Sequence, residues 1–292
     1  MTTSILVLLD TATDELTEVP GPVLELITMG RALGRVDVVT LSAPTLPVLA
    51  TLGQYGVHGV HQATLPVSAG PNARRVTSVL SAVLVAAVNR IHADLLLVPN
   101  SFIDKEAAAV AAVRLQAGFI NNALTIAPPN DKNHFTVHCR VFGGSWDVGA
   151  EVTTDPAVIS VQAGGVTAAP AEVATAPEVY PLSVDVSPPQ VTVVSRETVA
   201  RDTARPDLAS AREVVAGGRG CNEDLTPVFE LADALGAAVG VTRDLAFDGI
   251  FDTYIGTTGV TVAPELYIAC GISGSPYHTG GMRSSRYIIS VN

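Results

Sequence analysis

The sequence predicts an α/β protein in two parts. A layered α/β domain over 1–199 is built on a parallel sheet, and a smaller α/β domain follows over 208–292, with a linker at 200–207. Three observations predict this. In the first part, apolar runs of strand length alternate with longer helix-periodic segments, the pattern of a parallel sheet covered by helices. From His134 to Thr153 the period changes to two around Gly143-Gly144-Ser145, which reads as a hairpin. Ala200 to Asp207 is polar, charged and proline-containing, as domain linkers are.

Taken in order, Ile5–Leu9 is an apolar run that reads as a buried parallel strand. Gly21-Pro22 starts a helix with Val23, Leu24, Leu26, Ile27 and Leu33 as its apolar positions, and Gly34 ends it. Val36–Leu41 is the next strand, Pro44–Gly53 a short helix and Val57–Val60 a short strand. A long helix over Arg74–Ile91 leads to the buried strand Leu95–Pro99, then a helix over Asp104–Gln116 and a strand near Phe119. Beyond the hairpin, Ala157–Val161 is a strand, 163–189 is extended and Val191–Val194 is a further strand. In the second part, a strand ends at Gly217-Gly218-Arg219-Gly220. Thr226 reads as an N-cap with Pro227 behind it, and Val228, Phe229, Leu231, Ala232 and Leu235 form one apolar face ending at Gly236. Ala237–Val241, an edge at Thr261-Val262, Leu266–Cys270 and Tyr287–Val291 complete the strands.

With 48% apolar and 15% charged residues among 292, the chain can bury a large core, and disorder is excluded as its ground state. A net charge of −11 argues against nucleic acid or an anionic membrane as partner. Cys139, Cys221 and Cys270 are far apart and form no CxxC or Cys/His metal spacing, so a reduced, cytoplasmic setting is expected. The first residues show no signal-peptide pattern, and no apolar run is long enough to insert in a membrane.

The chemistry concentrates in the second part. Short β-branched runs stop at Gly, Ser, Thr and Arg loops, and strand ends of that kind are where open α/β sheets bind phosphorylated cofactors. Each motif alone is ambiguous. Gly217-Gly218-Arg219-Gly220 is neither GxGxxG nor a P-loop, and glycine clusters often only turn the chain. Thr242-Arg243 could be a surface pair, Thr257-Thr258-Gly259 a turn and His278 a structural histidine. Ser273 between Gly271 and Gly274 lacks the spacing of a nucleophile elbow. His58, His61, His92, His134 and His138 show no metal-ligand pattern.

Together, however, Gly217-Gly218-Arg219-Gly220, the run from Leu231 to Arg243, the run from Ile255 to Gly274, His278 and Gly281-Met282 closely resemble the α subunit of electron transfer flavoproteins. The resemblance spans the C-terminal third. It implies a Rossmann-like FAD-binding C-terminal domain and a heterodimer with a β subunit, in which AMP is also expected. It further implies an electron carrier, without a small-molecule substrate of its own, between donor dehydrogenases and an acceptor such as a quinone oxidoreductase. Carried over by motif, Arg219 and Gly220 lie along the FAD chain and Thr242 bonds phosphate. Arg243 sits over the flavin ring, Ile255, Gly256, Thr257, Thr258 and Gly259 approach it, and Ser273, Gly274, Ser275, Tyr277 and His278 wrap it. Asn292 contacts the adenosine portion, and Arg243 and His278 stabilise negative charge on the reduced ring.

The sequence departs from the family pattern at Thr257, where Gln is usual, and at Ser275-Pro276-Tyr277 before His278. It also ends at Asn292, where relatives continue. These departures allow a second expectation: a specialised or shortened paralogue that binds adenine nucleotide or acts as a scaffold. An oxidoreductase acting directly on a small substrate ranks last, because no acid–base pair stands beside the presumed flavin.

Overall fold

The computed structural model describes residues 2–9, 15–66, 73, 76–142, 145–186, 191, 194–195, 205–222, 224–247, 249 and 251–292. Parts of the expected Arg74–Ile91 helix, the hairpin turn, the Val191–Val194 strand and the 200–207 linker lie outside them. The chain forms two compact units, chiefly the residues up to 197 and those from 198 onward.

The N-terminal unit opens with β1 (Ser4–Leu8), β2 (Glu15–Leu16), α1 (Gly21–Leu33), β3 (Arg35–Thr40), β4 (Ala43–Pro44), α2 (Leu46–Gln54) and β5 (Val57–Thr64). Then come α3 (Thr77–Ile91), β6 (Leu95–Pro99), α4 (Phe102–Leu115), β7 (Gly118–Ile126), β8 (Phe135–Val141), β9 (Trp146–Val152), β10 (Ala157–Val161) and β11 (Glu178–Ser183). Nine strands form one sheet in the order β11-β5-β3-β1-β6-β10-β7-β8-β9. It is parallel from β11 to β7 and antiparallel where β7 meets β8. The central strands β1, β6 and β10 are buried on both faces, so they read as unbroken apolar runs. α3 and α4 pack together over Leu6, Leu8, Leu96, Val98 and Val158. α1 covers the opposite face, where Gly30 lies against Val36, Ile5 and Leu97. The first turn of α4 is capped by Ser101, whose hydroxyl accepts from the Asp104 amide at 3.1 Å.

Several local expectations need correction or addition. Within the run expected to be extended at 163–189, β11 goes further and pairs with β5 along the sheet edge, an addition rather than a reversal. β2 and β4 form a small ladder of their own with no apolar alternation to announce it.

The C-terminal unit holds β12 (Glu213–Gly217), α5 (Thr226–Leu235), β13 (Ala238–Val241), α6 (Arg243–Phe247), β14 (Leu266–Cys270), α7 (Pro276–Met282) and β15 (Tyr287–Val291). All four strands are parallel, in the order β13-β12-β14-β15. Alternate residues serve opposite faces. Val214, Ala216, Tyr267 and Ala269 pack with Ile255, Val262 and Met282, while Val215, Ile268 and Val241 pack against Val228 and Ala232 of α5. Leu231 and Leu235 are 36% and 38% exposed, so the buried stripe of α5 is narrower than its sequence suggests. Thr226 is the first helical residue rather than the N-cap. The Asp224 carboxylate accepts its amide at 3.0 Å, and Pro227 fits the first turn, where no N–H is required. Thr261-Val262 is not a strand; the pairing there is an isolated bridge between Ile255 and Val260. β15 forms one margin of the sheet and all five of its side chains are exposed.

Candidate functional site

The strand order places the site. After β12 the chain goes to β13 on one side and then to β14 on the other. The loops leaving β12 and β14 therefore diverge and leave a crevice at their carboxyl ends, where open α/β sheets take ligands. A cleft of about 820 Å³, counted to its mouth, occupies this position. Its walls come from Arg219-Gly220 after β12, Thr242-Arg243-Asp244 after β13, Gly271-Ile272-Ser273 after β14 and Ser275, Tyr277 and His278 around α7. Tyr254, Ile255, Gly256, Thr258 and Asn292 complete the lining.

Close backbone packing shapes the floor. A Cβ on Gly220 would lie 2.7 Å from the Gly271 Cα. One on Gly271, which sits at φ +60°, would lie 2.6 Å from the Cys221 amide nitrogen. Side chains at these positions would force the two turns apart. The Cys221 thiol donates to the Cys270 carbonyl at 3.3 Å, and all three cysteines are free.

The polar groups differ in how they are satisfied. The Thr242 hydroxyl oxygen is buried and has no hydrogen-bond partner among the described residues. Buried polar atoms are normally paired, so this one marks a place where a ligand acceptor would complete the bonding. The Arg243 guanidinium lies 5.8 Å from the ring centroids of both Phe247 and Tyr277. It forms no ion pair among the described residues. Two aromatic faces within about 6 Å of the cation hold it without neutralising it. Arg219 instead pairs with Asp244 at 3.2 Å, both side chains well exposed. Thr258 is hydrogen-bonded to the Tyr254 hydroxyl at 2.9 Å, and Tyr254 packs edge-on to Phe247 at 6.0 Å.

His278 reaches the cleft from α7. It is buried, with Nδ1 3.1 Å from the Ile255 carbonyl and Nε2 2.8 Å from the Tyr267 hydroxyl. Burial lowers its pKa, with the Ile255 hydrogen bond opposing more weakly. A carbonyl only accepts, so Nδ1 carries the proton; the neutral ring then accepts from Tyr267 at Nε2. His278 thus stands on the cleft wall with both ring nitrogens engaged by protein groups.

Of the residues expected from sequence, Arg219, Gly220, Thr242, Arg243, Ile255, Gly256, Thr258, Ser273, Ser275, Tyr277, His278 and Asn292 meet at the cleft. Thr257, Gly259 and Gly274 do not line it. The Thr257 amide donates to the Tyr277 carbonyl at 2.9 Å, the Gly259 amide to the Gly256 carbonyl at 3.2 Å, and Gly274 supplies a turn at φ +78°. Asp244, Tyr254, Gly271 and Ile272 line the cleft without having been singled out. Asp244 had a signal, since it directly follows Thr242-Arg243 and could offset a nearby cation.

Residues 207–283 match the electron transfer flavoprotein FAD-binding domain, and residues 11–187 match the electron transfer flavoprotein domain. The chain belongs to the electron transfer flavoprotein α-subunit family. Its C-terminal unit carries that family's FAD-binding domain. The chain is similar to the electron transfer flavoprotein subunit alpha of Mycobacterium leprae, 39% identical over 64% of this chain and 58% of the relative. It is also similar to that of Bacillus subtilis, 32% identical over 73% and 65% respectively, and that of Paracoccus denitrificans, 48% identical over 31% of each. The first two matches thus span less than two thirds of those relatives' length. The cleft of this electron transfer flavoprotein chain fits FAD on its own chemistry. The orphaned Thr242 hydroxyl suits a phosphate oxygen, the Gly220–Gly271 floor admits close backbone approach, and Arg243 is an unneutralised cation.

Proposed function

We propose that this chain is the α subunit of an electron-transferring heterodimer. It holds FAD in the C-terminal cleft and works with a β subunit, which would also hold AMP. The heterodimer would carry electrons from donor dehydrogenases to an acceptor such as a quinone oxidoreductase, with no small-molecule substrate of its own. Three free thiols suit a reducing compartment such as the cytoplasm. Among the described residues, no helix is long and apolar enough to cross a membrane.

The observation that carries the reading is the pairing of an orphaned hydroxyl, Thr242, with an unneutralised guanidinium, Arg243, on consecutive residues at the end of β13. Thr242 would donate to a phosphate oxygen, and Arg219, Ser273 and Ser275 would border the same chain. Flavin, when bound, supplies the reversible uptake of electrons. The protein's part is to fix charge and exclude water. Arg243, held between two rings, would face the ring region in which added electrons place negative charge. Tyr277, 63% exposed, stands at the rim as a cover. His278 would form an uncharged wall. Asn292, at the end of β15, would meet the adenosine portion.

Co-expression with a β subunit, followed by a visible spectrum and mass spectrometry of the ligand released on denaturation, tests this reading. A yellow complex releasing FAD is expected. A colourless complex releasing AMP or ADP alone would replace it with the adenine-nucleotide paralogue.

A further inference from the structure

We propose that the N-terminal unit carries a binding site of its own, for a phosphate group that keeps one P–OH: Arg35 and Arg90 hold its oxygens and Asp37 accepts its proton. This inference goes beyond the flavin reading and does not rest on it.

Arg35, Asp37, His61, Arg90 and Tyr180 line a cavity of about 700 Å³, counted to its mouth. Strand geometry gathers them. Arg35, Asp37 and Val39 alternate along β3 onto one face, and Val39 packs in the same cluster as α3. His61 of β5 is in register with Val39, and Tyr180 of β11 with His61. Arg90 comes from the last turn of α3. Gly59, in register with Asp37, leaves the carboxylate room: a Cβ there would lie 3.3 Å from Asp37 Oδ1 and 3.1 Å from Tyr180 Cε2.

The inner groups are incompletely bonded. Asp37 and His61 are 8% and 6% exposed. His61 Nε2 lies 3.4 Å from Asp37 Oδ2, and a carboxylate only accepts, so Nε2 carries a proton. Asp37 Oδ1 and His61 Nδ1 are buried without a hydrogen-bond partner among the described residues. Tyr180 stacks on the imidazole, ring centroids 5.5 Å apart, and holds its plane. The outer groups are cationic. Arg35 Nε stands 3.6 Å from Asp37 Oδ1, too far for a hydrogen bond, and the side chain is half exposed, so its head is free to turn to a ligand. Arg90 is exposed and forms no ion pair among the described residues.

Two guanidinium groups suit phosphate, whose oxygens arginine binds in parallel pairs. A carboxylate beside them would repel an anion that only accepts. Hydrogen phosphate keeps one P–OH at neutral pH and can donate it to Asp37 Oδ1, the oxygen that His61 leaves open. Sulfate has no such proton and would set two bare acceptors face to face. Asp37 is thus a selectivity residue, and its place among arginines has a chemical reason.

Calorimetric titration of the full chain in complex with its β subunit tests this, with inorganic phosphate and sulfate at neutral pH and matched ionic strength. Phosphate is expected to bind at least tenfold more tightly than sulfate, the worth of one hydrogen bond to a charged group. Absence of binding, or equal affinity for the two ions, would overturn the proposal. Arg90→Ala, at an exposed position, is expected to weaken phosphate roughly tenfold. Binding that survives it unchanged would place the ion elsewhere and also overturn the proposal. Asp37→Asn can turn an amide N–H to either ion, so the preference should shrink to about twofold or less; a preference that persists would remove the role of Asp37. If that variant does not fold, the wild-type comparison and Arg90→Ala still decide. Glycerol 3-phosphate added as competitor reads the source: displacement of inorganic phosphate supports a monoester head, and no displacement supports the free ion. Flavin content, measured on the same samples, bears on the cleft alone.

Discussion

Near the carboxyl ends of β6 and β10, Asn100, Asn121, Asn122 and Ser160 bond to one another. The Asn100 amide reaches Asn122 Oδ1 at 2.6 Å, and the Ser160 hydroxyl lies 2.8 Å from Asn121 Oδ1. The Asn122 amide closes the set by donating to Ser160 at 3.0 Å. At the matching end of the C-terminal sheet, the Thr242 hydroxyl has no hydrogen-bond partner among the described residues, and Arg243 lies beside two aromatic rings. Both sheets are parallel there and both stop at small polar residues. The difference is whether those residues satisfy one another. Where they do, the strand ends add to the fold; where they do not, they leave bonding capacity open to the cleft.

The largest expected effect breaks the open end. Gly271→Ala would put a side chain against the Cys221 amide at a positive φ. We expect about 2–4 kcal/mol of destabilisation from strain and clash together, with loss of bound flavin. Calorimetry and flavin content check it. Next, Arg243→Ala removes the uncompensated cation. A charge at about 4 Å with effective dielectric near 20 is worth roughly 4 kcal/mol, so the flavin potential should fall by on the order of 100 mV. Spectroelectrochemistry measures the shift, and an unmoved potential would show that Arg243 does not face the ring.

A matched pair sharpens the comparison directly. Thr242→Val should weaken FAD binding by roughly tenfold, the loss of about one hydrogen bond to a charged group, with little change in melting temperature. Ser160→Ala should do the reverse, lowering stability by about 1–2 kcal/mol and leaving FAD affinity alone. If both variants behave alike, the contrast between the two ends fails. The smallest effect is a pH dependence. His278 has a folded-state pKa below its unfolded value, so folding favours the neutral ring. That contribution is whole above about pH 6.5 and is lost as pH falls towards the lower folded value. Thermal melts of the flavin-free protein from neutral to mildly acid pH should show a decline that His278→Gln flattens.

The alternation of apolar runs with helical segments made the layered sheets legible, because strands buried on both faces must be apolar throughout. The motif order after Gly217 made the cleft legible. Other features were not, for identifiable reasons. β11 rests on ladder pairing with β5 rather than on a buried apolar face, so its exposed Glu178, Val179 and Tyr180 carry no strand pattern. α6 and α7 are too short to show a helical period. The lowered pKa of His278 comes from its burial, and its partner Tyr267, eleven residues away in sequence, meets it only after folding. No spacing rule announces a carbonyl acceptor such as that of Ile255.

β15 has a practical consequence. Among the described residues it has a neighbour on one side only, and Tyr287, Ile288, Ile289 and Val291 are exposed. Bare strand margins with aliphatic side chains template further strands. A lone recombinant chain should therefore clump before any colour can be read. Ile289→Lys is a first remedy, since a lysine at a sheet margin discourages such stacking.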